Sequence, residues 1–283
     1  MLSITSRFTT LLSTGFTVTF GDKSYTNLVK FSRYSNQRSI MTANPDVFAL
    51  AKRDAAFKAV DNHLKDGMNV GIGSGSTIVF AVERIVQKKL DVICIPTSFQ
   101  SKQLIREKGL RLSDLEETTH LDVAIDGADE VDTKTLVLIK GGGAALTQEK
   151  IVAMAAKELI IVADCTKESQ YLGQHWTKGL PIEVIPMAYK VVINKLEQQL
   201  NGKACLRMAK AKAGPVVTDN GNFIIDWIFP INESEKRDIK YWTEVNTKIK
   251  LIAGVVETGL FIDMTSVVYF GSNDGSVKTL NKK

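Results

Sequence analysis

The sequence is poor in cysteine and histidine, and this excludes several kinds of site. Its three cysteines, Cys94, Cys165 and Cys205, are far apart and lack Cys-x-x-Cys spacing. That is not the pattern of a disulfide scaffold or a zinc ribbon, and it fits a reducing compartment. None of the three histidines has a Glu-x-x-His or His-x3-His neighbour. We therefore expect chemistry that rests on carboxylates and lysines, with no metal.

Proline, glycine and long apolar runs are also scarce. Six prolines and 20 glycines in 283 residues exclude a collagen-like or low-complexity chain. No uninterrupted apolar run reaches the roughly 18 residues of a membrane span, so no membrane partner is expected. With 44% hydrophobic and 24% charged residues, the chain can bury the core of one large domain or two smaller ones.

The net charge of +5 is concentrated near the N-terminus. Residues 1–43 hold five basic residues and one acidic residue, so residues 44–283 carry only +1. A protein that binds nucleic acid through its phosphates carries a basic stripe on its folded surface. The near-neutral body therefore indicates no nucleic-acid partner.

Residues 1–43 differ in composition from the rest of the chain. Fifteen of them are Ser or Thr, and Asp22 is the one acidic residue. Arginine, hydroxyl and apolar residues are mixed as in an organelle transit peptide, but a disordered leader, with Met41 as the start of the protein, has the same composition. Both interpretations place this segment outside the fold.

From residue 45, short apolar runs alternate with helical periodicity. Helices are predicted over 45–64, 76–87 and 147–158, and strands over 69–72, 91–95, 122–126, 136–139 and 159–163. This alternation predicts a parallel sheet covered on both faces. In such sheets, ligands bind beyond the carboxyl ends of the strands.

A second pattern begins near Pro181. Strands are predicted over 182–186, 204–209 and 255–262, helices over 187–200 and 241–252, and a type I′ hairpin turn at Asn220-Gly221. Residues 230–240 are interpreted as a surface insertion, and 266–270 as a strand that returns to the first sheet. The prediction is an α/β fold, with a Rossmann-like domain (44–180 plus 264–283) and a smaller ferredoxin-like α+β domain (181–263) inserted near the C-terminus.

Three motifs follow predicted strands, and the first is glycine-rich. Gly71-Ile-Gly73-Ser-Gly75-Ser-Thr77 opens a helix, where backbone N–H groups favour an anion such as a phosphate. The spacing is not GxGxxG, no acidic residue ends the next strand, and no Gly-Lys-Ser/Thr is present, so dinucleotide and Walker sites are disfavoured. A tight turn without a ligand stays open as an alternative.

The second motif, Asp126-Gly-Ala-Asp129-Glu130-Val-Asp132, places four carboxylates in seven residues. Carboxylates held close together raise one another's pKa, which suits general acids or bases, or they gather a divalent metal. A solvated acidic loop is the alternative, and Glu130 and Asp132 are assigned to it.

The third motif, Lys140-Gly141-Gly142-Gly143, offers N–H donors and an ammonium group that can stabilise an oxyanion. Glu149 follows near a helix N-terminus and is either a dipole partner or a carboxylate base, with the direction of its pKa shift left open. Lys167, after another strand, either binds substrate oxygens or is solvated.

Taken together, the motifs resemble the ribose-5-phosphate isomerase type A family over residues 51–278. The residues that carry the resemblance are Gly73-Ser-Gly-Ser-Thr77, Asp126-Gly-Ala-Asp129-Glu130, Lys140-Gly-Gly-Gly-Ala-Ala-Leu-Thr-Gln-Glu149-Lys150, Pro181-Ile-Glu-Val-Ile-Pro186 and Val217-Thr-Asp-Asn-Gly-Asn222. Ile95-Pro-Thr-Ser-Phe-Gln100 and Trp227 are similar to the eukaryotic branch of that family.

The resemblance implies an aldose–ketose isomerase of the non-oxidative pentose phosphate pathway that needs no cofactor. It implies that Glu149 is the proton-transfer base, that Asp126 belongs to the acid set that opens the sugar ring, and that Lys140 stabilises an enediolate. Together with Asp129, these are the predicted catalytic residues. The implied contacts with a small phosphorylated sugar come from Ser74, Gly75, Ser76, Thr77, Gly127, Ala128, Asp129, Gly141, Gly142, Gly143, Lys167 and Lys52. A cytoplasmic homodimer is expected, with mitochondrial import through residues 1–43 left open.

Two other functions are compatible with such a fold. A sugar-phosphate sensor would use the same cleft without catalysis. An acyl-CoA transferase would use a glutamate nucleophile that forms a thioester with CoA.

Overall fold

The computed structural model describes residues 17–20, 23–26, 48–231 and 238–282. Its contacts divide the chain into two units, residues 1–44 and 45–283. In the first unit, strands β1 (Thr17–Phe20) and β2 (Lys23–Thr26) pair in antiparallel orientation. The rest of the predicted leader lies outside the described residues, as do residues 232–237 of the predicted insertion.

The described part of the second unit contains six α-helices. They are α1 (Ala49–His63), α2 (Ser76–Lys88), α3 (Phe99–Glu107), α4 (Leu146–Ala155), α5 (Tyr189–Leu200) and α6 (Ile239–Lys250). Five of them lie where helical periodicity predicts them. Helix α3 was not predicted, because its capping box uses Ser98 and Ser101 and lacks the glutamate or glutamine that usually marks such a box.

The largest sheet has seven strands. Their order is β17 (Val277–Asn281), β16 (Thr265–Gly271), β9 (Ala156–Asp164), β6 (Leu121–Asp126), β3 (Asn69–Ile72), β4 (Ile93–Pro96) and β5 (Arg111–Leu112). All neighbours run parallel except β16 and the edge strand β17. Helices α1, α2 and α3 bury apolar residues on one face, and α4 does so on the other. The predicted parallel, doubly covered sheet is confirmed, including the return of β16.

A smaller sheet is built from β11 (Leu180–Val184), β12 (Lys203–Leu206), β13 (Phe223–Ile228) and β14 (Val255–Thr258). Its order is β12-β13-β11-β14, and all neighbours are antiparallel. Helices α5 and α6 contribute Leu196 and Trp242 to its core. This βαββαβ order is the predicted ferredoxin-like arrangement. The boundaries of the two domains stay a prediction.

The prediction for residues 136–139 was wrong in one respect, because they do not join the parallel sheet. Strand β8 (Leu138–Ile139) pairs in antiparallel orientation within a third sheet, next to β7 (Glu130–Asp132) and β15 (Leu260–Phe261), with β10 (Glu168–Ser169) at its edge. Ile139 packs into the core of the smaller sheet, and Leu138 packs into a core of the large one. A segment between two cores is apolar on both sides, which is why it resembles a central parallel strand.

The predicted strand over 255–262 is interrupted at Gly259. Its first part, β14, pairs with β11, whereas its second part, β15, pairs with β8. At the junction, the Gly259 N–H donates to the Pro181 carbonyl oxygen (2.7 Å), and the Lys140 N–H donates to the Gly259 carbonyl oxygen (2.9 Å). One short stretch of the chain therefore contributes a strand to each of two sheets.

The turn at Asn220-Gly221 is not type I′. That type needs positive φ at both residues, but only Gly221 has it (φ +77°). The Gly221 N–H donates to the Thr218 carbonyl oxygen at 2.9 Å. This geometry fits a type I turn followed by a left-handed glycine, which reverses the chain so that Val217 pairs with Phe223 at the start of β13 in an isolated antiparallel bridge.

Candidate active site

A cleft of about 680 Å³ lies beyond the carboxyl ends of β3, β6 and β9. Every predicted site residue except Asp126 lines it, namely Lys52, Ser74, Gly75, Ser76, Thr77, Gly127, Ala128, Asp129, Lys140, Gly141, Gly142, Gly143, Glu149 and Lys167. Asp126 lies behind this lining, in contact with Lys140. The fold thus brings together loops that are separated by more than 100 residues.

One end of the cleft is the glycine-rich loop before α2. Helix α2 begins at Ser76, its N-cap Gly75 has φ +99°, and no side chain caps its first turn. The Lys52 ammonium donates to the Ser76 hydroxyl at 3.1 Å. A helix N-terminus beside a lysine attracts an anion, so this end forms an anion cradle, defined here as Ser74–Thr77 with Lys52.

Neighbouring loops hold the cradle in place. The Ser74 hydroxyl bonds to the hydroxyls of Thr97 (2.9 Å) and Ser98 (2.7 Å), and the Gly75 N–H donates to Gln100 Oε1 (2.9 Å). These residues were not predicted as part of the site. The signal that could have found them is their position directly after β4, since the ends of parallel strands converge.

The other end holds three buried charged side chains. Lys140 Nζ lies 3.0 Å from Asp126 Oδ2 and 3.3 Å from Glu149 Oε2, and it donates to the Gly127 carbonyl oxygen at 2.6 Å. All three side chains are less than 10% exposed. Asp126 Oδ1 accepts from the Ser74 N–H (3.1 Å) and the Gly127 N–H (2.7 Å), so Asp126 joins this cluster to the cradle.

The cluster sets the pKa of Glu149, whose direction the sequence left open. Burial, followed by the negative charge of Asp126, raises the pKa of Glu149 to about 8, although Lys140 acts in the opposite direction. Burial would lower the pKa of Lys140, but the charges of Asp126 and Glu149 outweigh it, so this pKa is raised. Glu149 Oε2 is buried and makes no hydrogen bond with the described residues. Among the described residues, Oε2 is thus held by its ion pair with Lys140, and Glu149 lines the cleft, where its raised pKa suits it to accept a proton.

Asp129 lies in the cleft, where the loop of residues 127–129 meets the glycine loop of residues 141–143. Its Oδ2 accepts a hydrogen bond from the Gly142 N–H at 2.6 Å. Burial raises the pKa of Asp129, while this N–H group and the charges of Lys140 and Lys167 act against the rise. A half-buried carboxyl group that lines the cleft with a raised pKa is suited to donate a proton.

Arg207 supports the glycine loop and was missed by the sequence analysis. Its guanidinium pairs with Asp226 at 2.5 Å and donates to the carbonyl oxygens of Gly141 (2.8 Å) and Gly142 (3.2 Å). It thereby links the smaller sheet to the cleft. No local pattern marks it, because its partners at the cleft are about 65 residues away in sequence.

The assignment of Glu130 and Asp132 to a solvated loop was wrong, because both are buried. Glu130 accepts hydrogen bonds from the Ser169 hydroxyl and from the N–H groups of Gly173 and His175. Asp132 accepts from the Thr135 hydroxyl at 2.8 Å. Buried carboxylates require such donors, so these two residues fix loops around the third sheet.

Within the described residues, no group of three or more His, Cys, Asp or Glu side chains is arranged to hold a metal ion. None of the described helices is long and apolar enough to cross a membrane. The cleft thus offers an anion cradle, a carboxylate base, a carboxyl group with raised pKa and a buried ammonium group. This set is suited to proton transfer on a small phosphorylated molecule.

Comparisons with known proteins identify similar chains. The family model of ribose 5-phosphate isomerase A (phosphoriboisomerase A) matches residues 93–275. The ribose-5-phosphate isomerase of Dictyostelium discoideum is 58% identical to this chain, and the match covers 80% of this chain and 96% of that protein. The human ribose-5-phosphate isomerase is 56% identical, and the match covers 82% of this chain and 73% of the human protein. A solved D-ribose-5-phosphate isomerase in complex with phospho-erythronic acid has a TM-score of 0.74 and 40% identity, covering 82% of this chain and 98% of that one.

Proposed function

This chain belongs to the ribose 5-phosphate isomerase A family and is an isomerase of D-ribose 5-phosphate and D-ribulose 5-phosphate, for which we propose that Glu149 moves the proton between C2 and C1. The observation that carries the proposal is the buried cluster of Glu149, Lys140 and Asp126. A similar protein binds phospho-erythronic acid, which is a phosphorylated sugar acid. The substrate class and the side chains of this cleft therefore agree.

The anion cradle holds the phosphate of the substrate. The N-terminus of α2, Lys52 and the hydroxyl group of Ser76 supply positive potential and donors there. Because the phosphate takes no part in the reaction, its binding energy positions the reacting carbons beside Glu149. Gly141 and Lys167 line the space between these two ends and offer donors to the sugar hydroxyl groups, whereas the Gly142 N–H is held by Asp129.

Ring opening is assigned to Asp129, although the resemblance implied a set that contains Asp126. Asp126 does not line the cleft, and both of its oxygens are occupied by Ser74, Gly127 and Lys140. Asp129 lines the cleft and has a raised pKa, so it can give a proton to the ring oxygen as the ring opens. The role left for Asp126 is to hold Lys140 and to raise the pKa of Glu149.

The isomerisation then conserves all protons. Glu149 takes the proton from C2 of the open aldose, and the electron pair moves onto the carbonyl oxygen at C1, which gives an enediolate. The ammonium of Lys140 stabilises this negative charge. Glu149 returns the proton to C1 while the hydroxyl proton passes from O2 to O1, which leaves the ketose.

The test is Glu149→Gln, which keeps the shape of the side chain and removes the base. A positioned base contributes about 10²–10⁴-fold, so kcat should fall by at least about a hundredfold while KM stays nearly constant. The matched control is Glu158→Gln, since Glu158 is 51% exposed at the opposite end of β9. A Glu149→Gln enzyme that keeps more than about a tenth of wild-type kcat contradicts the assignment.

The assembly and the location are further proposals. The family resemblance supports a cytoplasmic homodimer, and the near-neutral charge of residues 44–283 supports the lack of a nucleic-acid partner. Mitochondrial import through residues 1–43 is the alternative location. Sedimentation tests the dimer, and N-terminal sequencing of the mature protein tests the leader. No observation favours a sugar-phosphate sensor or an acyl-CoA transferase.

A further inference from the structure

Two of the motifs that carry the family resemblance, residues 181–186 and 217–222, have no role in the reaction described above. Both meet at Glu183, a fully buried residue of β11. No lysine, arginine or histidine among the described residues forms a salt bridge with it. Its two carboxylate oxygens instead accept hydrogen bonds from four uncharged donors.

The four donors come from two separate segments. The Thr147 hydroxyl donates to Glu183 Oε2 at 2.6 Å. Glu183 Oε1 accepts from the Thr218 hydroxyl (2.8 Å), Asn220 Nδ2 (3.1 Å) and Asn222 Nδ2 (2.9 Å). These five residues are called the polar clamp below.

The polar clamp fixes the start of the helix that carries Glu149. Thr147 lies in the first turn of α4, two residues before Glu149. The next residue, Gln148, also reaches the turn, because its Nε2 donates to Asn220 Oδ1 at 2.8 Å. The first turn of α4 is thus attached to the 218–222 turn directly through Gln148 and, by way of Glu183, through Thr147.

The same turn also reaches the wall of the anion cradle. Asp219 Oδ2 accepts a hydrogen bond from the Phe99 N–H at 2.7 Å, at the first residue of α3. The next residue, Gln100, accepts from the Gly75 N–H of the cradle. Side-chain hydrogen bonds therefore lead from the helix of the base to the loop that binds the phosphate.

The energetics favour a single geometry for this arrangement. A buried carboxylate is costly unless its lone pairs are satisfied, and hydrogen bonds to a charged group are stronger than those between neutral groups. Glu183 accepts only, and its partners reach it from segments on both sides of the cleft. A shift of α4 or of the turn would leave one of these oxygens unpaired.

We propose that Glu183 is a positioning residue, and that the polar clamp holds Glu149 at the distance from the anion cradle that the sugar chain requires. This inference rests on the proposed function, because it assigns Glu149 as the base. Glu183 and Thr147 do not line the cleft, so they act on the reaction only through the placement of α4.

The test is Thr147→Val, which keeps the shape of the side chain and removes its donor. Displacement of a reacting group by about 1 Å can cost about a hundredfold in rate, so kcat should fall by about 10- to 100-fold. KM and the inhibition constant of inorganic phosphate should stay within about threefold, because Thr147 makes no contact with the cradle.

The Glu183→Gln variant should lower kcat in the same way. In the double variant, kcat should lie within about threefold of the kcat of the more impaired single variant, since both changes act on the hydrogen bond between Thr147 and Glu183.

The matched control is Thr135→Val. It removes another hydrogen bond from a threonine to a buried carboxylate, the 2.8 Å bond to Asp132, at a distance from α4. This variant should lose a similar amount of thermal stability and keep kcat within about twofold. The proposal is overturned if Thr147→Val keeps kcat within twofold of wild type, or if Thr135→Val loses as much kcat as Thr147→Val. Wild-type enzyme without isomerase activity would instead refute the proposed function.

Discussion

The raised pKa of Glu149 makes a quantitative prediction about the dependence of the reaction on pH. Burial and the charge of Asp126 raise this pKa to about 8. The base must be ionised to take the proton, so kcat/KM should increase with pH. About a tenth of the free enzyme has an ionised Glu149 at pH 7 and about nine-tenths at pH 9, which gives a roughly tenfold increase. A glutamate with the ordinary pKa of about 4.3 would give a flat profile over this range.

The measurement is kcat/KM for ribose 5-phosphate from pH 7 to 9, with coupling enzymes in excess at each pH. Sugar phosphates lose their second proton near pH 6, so the substrate changes little in this range. Asp126→Asn removes the largest electrostatic cause of the shift and should move the midpoint to lower pH. A wild-type profile that varies less than twofold would refute the explanation that burial and Asp126 hold the proton on Glu149.

Two further predictions concern the packing of the cluster. Lys140→Met leaves the carboxylates of Asp126 and Glu149 without their buried cation, so the free energy of unfolding should fall by about 3 kcal/mol in urea denaturation at pH 8, and an unchanged value would contradict this role. Gly73→Ala should lower the melting temperature, because the new Cβ would lie 2.7 Å from the Asp126 Cα. Gly143→Ala meets no atom within 4 Å and serves as its control; equal melting temperatures for these two variants would refute the argument.

Much of the cleft could be predicted because strand ends have a local signature. The glycine loop after β3 and the carboxylates after β6 each follow a short apolar run, and parallel strands bring such ends to one edge. Lys140 was placed correctly in the cleft, but not for the expected reason. It follows β8, which is antiparallel and outside the parallel sheet.

The residues that sequence reasoning missed are those whose partners are distant in the chain. Glu183 accepts from Thr147, 36 residues away, and Arg207 donates to Gly141, 66 residues away. No periodicity reports such contacts. The end of α4 was also predicted too late in the chain. The sequence of residues 156–158 suits a helix, but these residues form the start of β9, which pairs with β6. Tertiary pairing there overrides local propensity.

The junction at Gly259 means that the part of the chain with the parallel sheet does not contain a self-sufficient site. The backbone N–H of Lys140 donates a hydrogen bond to Gly259, which lies between β14 and β15, and the N–H of Gly259 donates to Pro181. If the protein were cut into two fragments, one with the large sheet and one with the small sheet, each fragment would lack some of the partners in these hydrogen bonds. They would have to reassociate before the Lys140 ammonium group could return to its place.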